Sequence, residues 1–500
     1  MSDGAPPPTP RRARKVRRGP ILLVVLAAVV AAVVAQQGAS SSNSASGIAA
    51  ATPLARTGVS VPSPDVASSA WYCAEGTSTP DGRADETVIV ASLASSAVDA
   101  TITVMPGGDS SPKSQQLRLA PGEETRVHVA DILATPEPGV VVETTGGAAA
   151  VSHQLQHDGD FAVEPCTRAA GPDWYFAAGT TVPGTEHDLA LFNPFGDDAI
   201  VDITFLTDTG VQQPDDLQAV VVPRRSRITI PVQDAVLRQD RVATQIHARV
   251  GRVVAERTQI FDGTVADQGP TRQGIAVSLG TQAPALTQWF ANGTTANGGT
   301  ASLALANFGD HDARVQVHVV LVSDQTLAAQ SLTVPARSVL AVEPTTRVPI
   351  GTDYAITVTA QVLDGRRSPI VAEVLSSWAP SSSTTGVAST LGSSVAARRW
   401  VVPQPDVDAD ASLTVFDPGA EPVTAALLPA TSVDRRVGPT SEPELAVGPG
   451  KAKIQRVTLG SGNDSAWVIT AGQPIVVGLT LLGADGASLS SAIPDPSFGG

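Results

Sequence analysis

The sequence predicts an all-β protein: four tandem immunoglobulin-like β-sandwich modules that follow an N-terminal transmembrane helix. Three observations predict it. Four stretches led by tryptophan resemble one another, WYCAEGT from Trp71, WYFAAGT from Trp174, WFANGT from Trp289 and WVVPQP from Trp400, at spacings of 103, 115 and 111 residues, the size of one small sandwich. Between them, short alternating apolar segments separated by turn residues recur at intervals of about 8–12 residues, with no sustained helical 3.6 period. Ahead of them stands a continuous apolar run directly behind a basic cluster.

Residues 1–18 hold six cations (Arg11, Arg12, Arg14, Lys15, Arg17, Arg18) and one acid, Asp3, and are expected to form a cytoplasmic stub. The run Ile21–Ala35 lies within an expected signal-anchor helix at 19–36, at the lower length limit for spanning a bilayer. Two readings compete for it, a cleaved signal peptide and a retained anchor, and the VVA/QQ end makes a poor cleavage site. Under both, the positive-inside rule keeps the N-terminus in the cytoplasm and exports the rest. The protein is then a single-pass membrane protein, or a secreted one if the segment is removed. Residues 37–69, rich in Ser, Ala and Pro, form a tether that spans about 30 Å as a flexible coil.

The modules are expected at 70–168, 169–280, 281–392 and 393–496. The second is the most legible. DLALFNP ends on Asn193-Pro194; AIVDITFLT alternates; AVVVPRRSRITIPV reads as two strands joined at Pro223; ATQIHARV and RVVAERTQIFDG turn at Gly251. Two landmarks recur in every module. A polar residue ends an early strand (Ser92, Asn193, Asn307, Asp417), and a hairpin proline follows 29, 30, 28 and 32 residues later (Pro121, Pro223, Pro335, Pro449). GIAVSLG, GVASTLG and GASLSSA add a small closing strand. Tryptophans at matching places are expected to pack in cores or module junctions.

The net charge is −15, and because the N-terminal cluster is basic, the remainder carries −20. So acidic a body repels nucleic acid and anionic lipid surfaces, so no nucleic-acid partner is expected. The two cysteines, Cys73 and Cys166, lie at opposite ends of the first module. In an exported chain they are expected to form one disulfide, worth about 4 to 5 kcal/mol for a loop of this length in the chain-entropy model. Two thiolates with no nearby histidine are expected to be too few for a metal site.

Candidate chemistry is sparse. Ser110–Lys113 (SSPK) fits an S-x-x-K pattern but sits in a loop and lacks a K-T-G partner. In SHQLQHDGD, His153 and His157 share a strand face yet stand about 13 Å apart, too far to hold one ion; Asp158 and Asp160 are expected in a solvated turn, where they would offer at most a weak calcium site. Glu256, Arg257 and Glu373 lie inside apolar strands and need partners; alternation sends Glu256 and Arg257 to opposite faces. The pairs Arg224-Arg225, Arg366-Arg367, Arg398-Arg399 and Arg435-Arg436 are expected to be solvated turn or linker charges. No catalytic, cofactor-binding or metal residue is assigned, and no cofactor is expected.

The pattern W-Y-F-A-x-G-T, L-x-L-x-N-P, V-P-x-x-S and I/V-V-A-E-R, clearest from Trp174 to Gly263, resembles a repeat in exported actinobacterial envelope proteins of uncharacterised function. Module 4 lacks the A-x-G-T segment, and modules 1 and 4 lack the E-R pair. The resemblance implies a cell-surface location and no activity. The expected function is a non-catalytic scaffold, adhesion or binding array at the envelope, its partners the membrane through the N-terminal helix and a wall polymer or envelope protein. The alternatives are an accessory subunit of a membrane-bound wall-assembly enzyme and an unrecognised extracellular hydrolase.

Overall fold

Strands follow wherever the side chains alternate. In β3 (Val98–Met105), Val98, Ala100, Ile102 and Val104 are buried while the intervening residues reach outward. The computed structural model describes residues 58–497 apart from 108–109, 265–269, 324, 364, 381, 433–443 and 460–464. The expected cytoplasmic stub, membrane helix, most of the tether and Arg435-Arg436 lie outside the described residues. Among those described, no helix is long and apolar enough to cross a membrane. The all-β expectation holds: two helices, α1 (Val129–Ile132) and α2 (Val232–Ala235), are single turns.

The first pair of sheets comprises β1 (Ser68–Cys73), β2 (Asp85–Ser92), β3, β4 (Lys113–Leu119), β5 (Glu124–His128), β6 (Gly139–Thr145), β7 (Ala149–His157) and β8 (Asp160–Pro165). Its antiparallel orders are β1-β6-β3-β4 and β5-β2-β7-β8. The second comprises β9 (Asp173–Phe176), β10 (Thr185–Asn193), β11 (Ala199–Thr207), β12 (Gly210–Gln212), β13 (Val220–Val222), β14 (Ser226–Pro231), β15 (Val242–Val250), β16 (Val254–Asp262) and β17 (Gln273–Leu279). Here β9-β15-β11, with β12 and β13 both on β11, faces β14-β10-β16-β17.

The third comprises β18 (Thr287–Thr294), β19 (Thr300–Asn307), β20 (Ala313–Leu321), β21 (Gln330–Val334), β22 (Ser338–Val342), β23 (Asp353–Ala360), a small hairpin of β24 (Val362–Leu363) and β25 (Arg366–Arg367), β26 (Val371–Trp378) and β27 (Gly386–Leu391). Its orders are β18-β23-β20-β21 and β22-β19-β26-β27. The fourth comprises β28 (Ala397–Val402), β29 (Asp410–Phe416), β30 (Val423–Pro429), β31 (Glu444–Val447), β32 (Ala452–Val457), β33 (Trp467–Leu482), β34 (Ala487–Ser491) and β35 (Ile493–Pro494). Long β33 serves both of its sheets, pairing with β28 and β30 through Trp467–Ala471 and with β29 and β34 through Val476–Leu482.

One strand order therefore recurs, and each pair encloses an apolar core. The penultimate strands reveal more. β26 is buried along its whole length and β16 in all but its last residue. A sheet with one face on its own core and one in water would alternate, so these strands are covered twice. The second cover is the neighbouring sheet pair: the core of the second pair takes in Ala74 and Val141 of the first, and that of the first takes in Val401, Val468 and Ile493 of the fourth. The described residues form one compact unit.

Closing strands organise it. β8, β17, β27 and β34 are each the edge strand of their sheet, and β8 touches β17, β17 touches β27, β27 touches β34, and β34 touches β8. The four sheet pairs form a closed ring about these edges. Successive units each present the same kind of contact to the next, and the rotation closes after four.

Candidate functional site

The tryptophan-led segments are the ring's connectors. After Trp174, the backbone N–H groups of Ala177 and Ala178 both donate to Glu373 Oε2 of the third pair, each at 2.8 Å. After Trp71, Glu75 N–H donates to Glu256 Oε2 of the second pair at 2.6 Å. The A-x of one repeat thus cradles the carboxylate in the V-A-E of the next. Where the third pair meets the fourth, Gly478 stands in the glutamate's place, and a Cβ there would lie 2.7 Å from the Ala291 carbonyl oxygen. Asn292 fastens this junction by donating to Ser490 O at 3.2 Å. Where the fourth meets the first, Pro403 has no N–H to offer and Ser152 replaces the glutamate; Gln404 N–H donates to Glu124 Oε2 at 2.9 Å instead.

Opposite strand faces send Glu256 and Arg257 to opposite neighbours. Arg257 and Glu373 are fully buried and paired, Nη2 to Oε1 at 2.6 Å and Nη1 to Oε2 at 3.2 Å, with Ser278 and Ser389 donating to Oε1 at 2.8 and 2.9 Å. Glu256 faces His153, whose Nδ1 lies 3.1 Å from Glu86 Oε1. Burial pushes Glu86 well above the carboxylate range and Glu256 up to about 7, in the latter case against the pull of His153 and the backbone amides. Arg227 closes this cluster by donating to Glu75 Oε1 at 2.7 Å and to Gly76 O at 2.5 Å.

The landmarks fall as follows. Trp71, Trp174 and Trp400 are wholly buried, and the indoles of Trp174 and Trp400 donate to Val253 O and Ile475 O. Trp289 departs from the expected equivalence. It pairs with Ser393 as Tyr175 pairs with Thr281, so it stands at the tyrosine's outward position. Gln288 fills the core position and donates to Ile370 O, the matching carbonyl. The repeat W-F-A-N-G-T is one residue short between its tryptophan and its alanine, which slides the indole to the other strand face.

Asn193 donates to Asp197 O and Val222 O, and Asn307 to His311 O, Val334 O and Pro335 O. This explains the two linked landmarks: the asparagine ties one turn to the carbonyls around the hairpin proline. Asp417 keeps only the acceptor half, from Gly419 N–H. Pro223 and Pro335 directly follow their strands, whereas Pro121 and Pro449 come one residue later, after Ala120 and Gly448.

Cys73 and Cys166 form the expected disulfide. His153, remote from Cys73 in sequence, lies within 4.8 Å of both sulfurs, but bonded sulfurs offer no thiolate to a metal. Ser110 and Lys113 are exposed at the start of β4. Arg224-Arg225 and Arg366-Arg367 are exposed as expected, but Arg399 is buried and faces Asp495 at 3.4 Å, because the closing β28–β35 edge covers it.

Asp160 also overturns its expectation of a solvated turn. Asp158 and Gly159 make the turn with positive φ, and Asp160, 3% exposed, curls over one end of the ring axis. Its Oδ1 accepts Phe161 N–H and Ala487 N–H at 2.7 and 2.9 Å; its Oδ2 accepts Ile275 N–H at 2.8 Å and Val387 N–H at 3.4 Å. One carboxyl ties all four closing strands. The other three sheet pairs carry Gly274, Gly386 and Gly486 here, and a Cβ on Gly274 would fall 1.8 Å from Asp160 Oδ2. Burial pushes Asp160 up to about 8 against these four N–H bonds. With both oxygens committed to donors, it offers calcium nothing.

At the other end of the closing strands lies a half-open cavity of about 90 Å³, reached by all four sheet pairs and lined by Glu164, Leu279, Thr390, Leu391, Ser394 and Ser491 among others. Glu164 is 8% exposed, and its carboxylate takes the Leu279 backbone N–H. Burial, then the charges of Glu256 and Glu373, push its carboxyl well above the usual range, against Arg257. The sequence marks this place only through Glu164 in the otherwise apolar stretch 161–165.

The fold is thus an all-β ring with an acid at either end of its closing strands. The profile of a family described as "Family of unknown function (DUF5719)" matches residues 161–269, from β8 to just past β16. No curated protein matches the chain. A solved structure described as "Crystal structure of tetra-tandem repeat in extending region of large adhesion protein" aligns over 85% of this chain and 99% of its own, at 12% identity and a TM-score of 0.10. That score carries no argument.

Proposed function

We propose that the protein is a non-catalytic binding platform of the bacterial cell envelope, of the actinobacterial kind its repeat motifs resemble. In this proposal four tandem immunoglobulin-like sandwiches stand on a Ser-rich tether above a single membrane helix. The observation that carries it is the ring closure: buried charged groups such as Arg257, Glu373 and Glu256 are consumed in joining neighbours. Such bonding yields a rigid body that presents surfaces rather than a site that rearranges around a reaction. The disulfide supports an exported location, since oxidising compartments favour it.

Protease shaving of intact cells, with an immunoblot for the chain, tests the placement: degradation without lysis is expected, and protection until lysis refutes it. Retention on purified wall polymer distinguishes the binding platform from the accessory-subunit reading, which instead requires co-purification with one membrane enzyme from detergent.

A further inference from the structure

The axial cavity at the Glu164 end has three features that together select a ligand. Its only ionisable lining residue, among the described residues, is Glu164. Hydroxyl-bearing residues from different sheet pairs, including Thr390, Ser394 and Ser491, line the same cavity. Leu279 and Leu391 make apolar walls beside it.

We infer that this pocket binds a primary alkylammonium group, with the Glu164 carboxylate as its counter-charge, the hydroxyls accepting its remaining protons and the apolar walls holding its methylenes. An ammonium has three donors and no acceptor, so a carboxylate and hydroxyl oxygens lining one pocket suit it. The size suits an ammonium head with a short methylene tail.

Other ligand classes fit worse. An anion would meet Glu164 together with the nearby charges of Glu256 and Glu373, against Arg257 alone. A calcium ion needs six or more oxygen ligands with several charges, and this pocket supplies one carboxylate. A neutral sugar brings no charge to offset a buried carboxylate. Long-range attraction adds to the selection, because the body beyond the N-terminal cluster carries −20. Burial raises the Glu164 carboxyl well above its ordinary value and an entering ammonium draws it back down, so binding is linked to the release of any proton the carboxyl holds.

Isothermal titration of the full chain in detergent with n-butylammonium chloride tests the proposal, with n-butanol and sodium butyrate as isosteric controls. Saturable binding of the ammonium alone is expected, with a heat that changes between buffers of different ionisation enthalpy. Glu164→Gln keeps the volume and removes the charge, and should weaken binding at least about tenfold. Ser394→Phe, at a half-buried lining position, should narrow the mouth and weaken binding likewise, and it stands in if the first variant does not fold. Absent binding by the folded wild type, equal affinity for butanol, or wild-type affinity in a folded variant overturns the proposal.

Putrescine and N-acetyl-lysine methylamide then distinguish the sources: tighter putrescine marks a free polyamine, tighter lysine derivative a partner's lysine side chain. The inference deepens the binding-platform reading, yet the titration does not depend on where the protein resides. Failed titration with successful shaving sinks the pocket alone, and the converse sinks the envelope placement alone.

Discussion

Glu373 is the single side chain whose loss should do most damage. It accepts six hydrogen bonds at full burial: two from Arg257, one each from Ser278 and Ser389, and one each from the Ala177 and Ala178 amides. Replacing it with alanine strands the Arg257 charge, which costs about 3–5 kcal/mol in buried pairs. It also orphans two backbone N–H groups, at about 1–3 kcal/mol each. Glu373→Ala should therefore destabilise by about 5 kcal/mol or more. Urea unfolding followed by far-UV circular dichroism measures the loss, and amide exchange at Ala177 and Ala178 localises it. A double-mutant cycle isolates the pair: Arg257→Leu with Glu373→Gln should cost less than the sum of the two single changes, because neither charge is then left alone. A Glu373→Ala protein within 1 kcal/mol of wild type by the uncertainty of such fits, or strictly additive singles, would refute the proposed role of the pair.

Three further outcomes are expected. Asp160 and Glu256 have folded-state values raised to about 8 and about 7, so the folded chain holds more protons than the unfolded one and stability falls as pH rises through that range. His187, lowered to about 3 by burial, acts oppositely below its ordinary value of 6.5, so the fall should be clearest between about pH 6.5 and 8; a melting temperature that climbs across that interval contradicts it. Gly274→Ala places a methyl against Asp160 at a left-handed backbone position and should cost about 3 kcal/mol or more, whereas Gly196→Ala, with nothing within 4 Å of its Cβ, should stay within about 0.5 kcal/mol in the same melts. Asp417→Asn restores the donor half that Asn193 and Asn307 use, relieves a carboxylate whose burial raises it, and should stabilise by about 1 kcal/mol in urea titration; a loss would show that the fourth turn is built differently.

Much of each sheet pair was legible in the chain. Period-2 alternation in AIVDITFLT and ATQIHARV marks β11 and β15, and Gly251 marks the turn before β16, because strand geometry and turn dihedrals are set within a few residues. The opposite facing of Glu256 and Arg257 follows from the same alternation. Two misplacements have local causes of the kind a single sequence hides: one missing residue moved Trp289 off the core face, and a covering edge strand buried Arg399. Asp160 was misread for a larger reason. Its partners Ile275, Val387 and Ala487 lie 115, 227 and 327 residues away, and no local pattern encodes such a meeting.

The sequence by itself determined the all-β class, many of the strands and turns and the cysteine pair, since these depend on short-range stereochemistry and on which face of each strand is apolar. Only the tertiary structure decided that the ring closes, that tryptophan-led amides hold a neighbouring sheet pair's glutamate at two of the four junctions, and that an acid stands at either end of the axis. Closure depends on the relative rotation of successive sheet pairs, which is fixed by packing between surfaces remote in sequence. Its faint traces in the chain, a glycine at the start of three of four closing strands and charged residues set inside the penultimate strands, acquire meaning only once the edges are seen to meet.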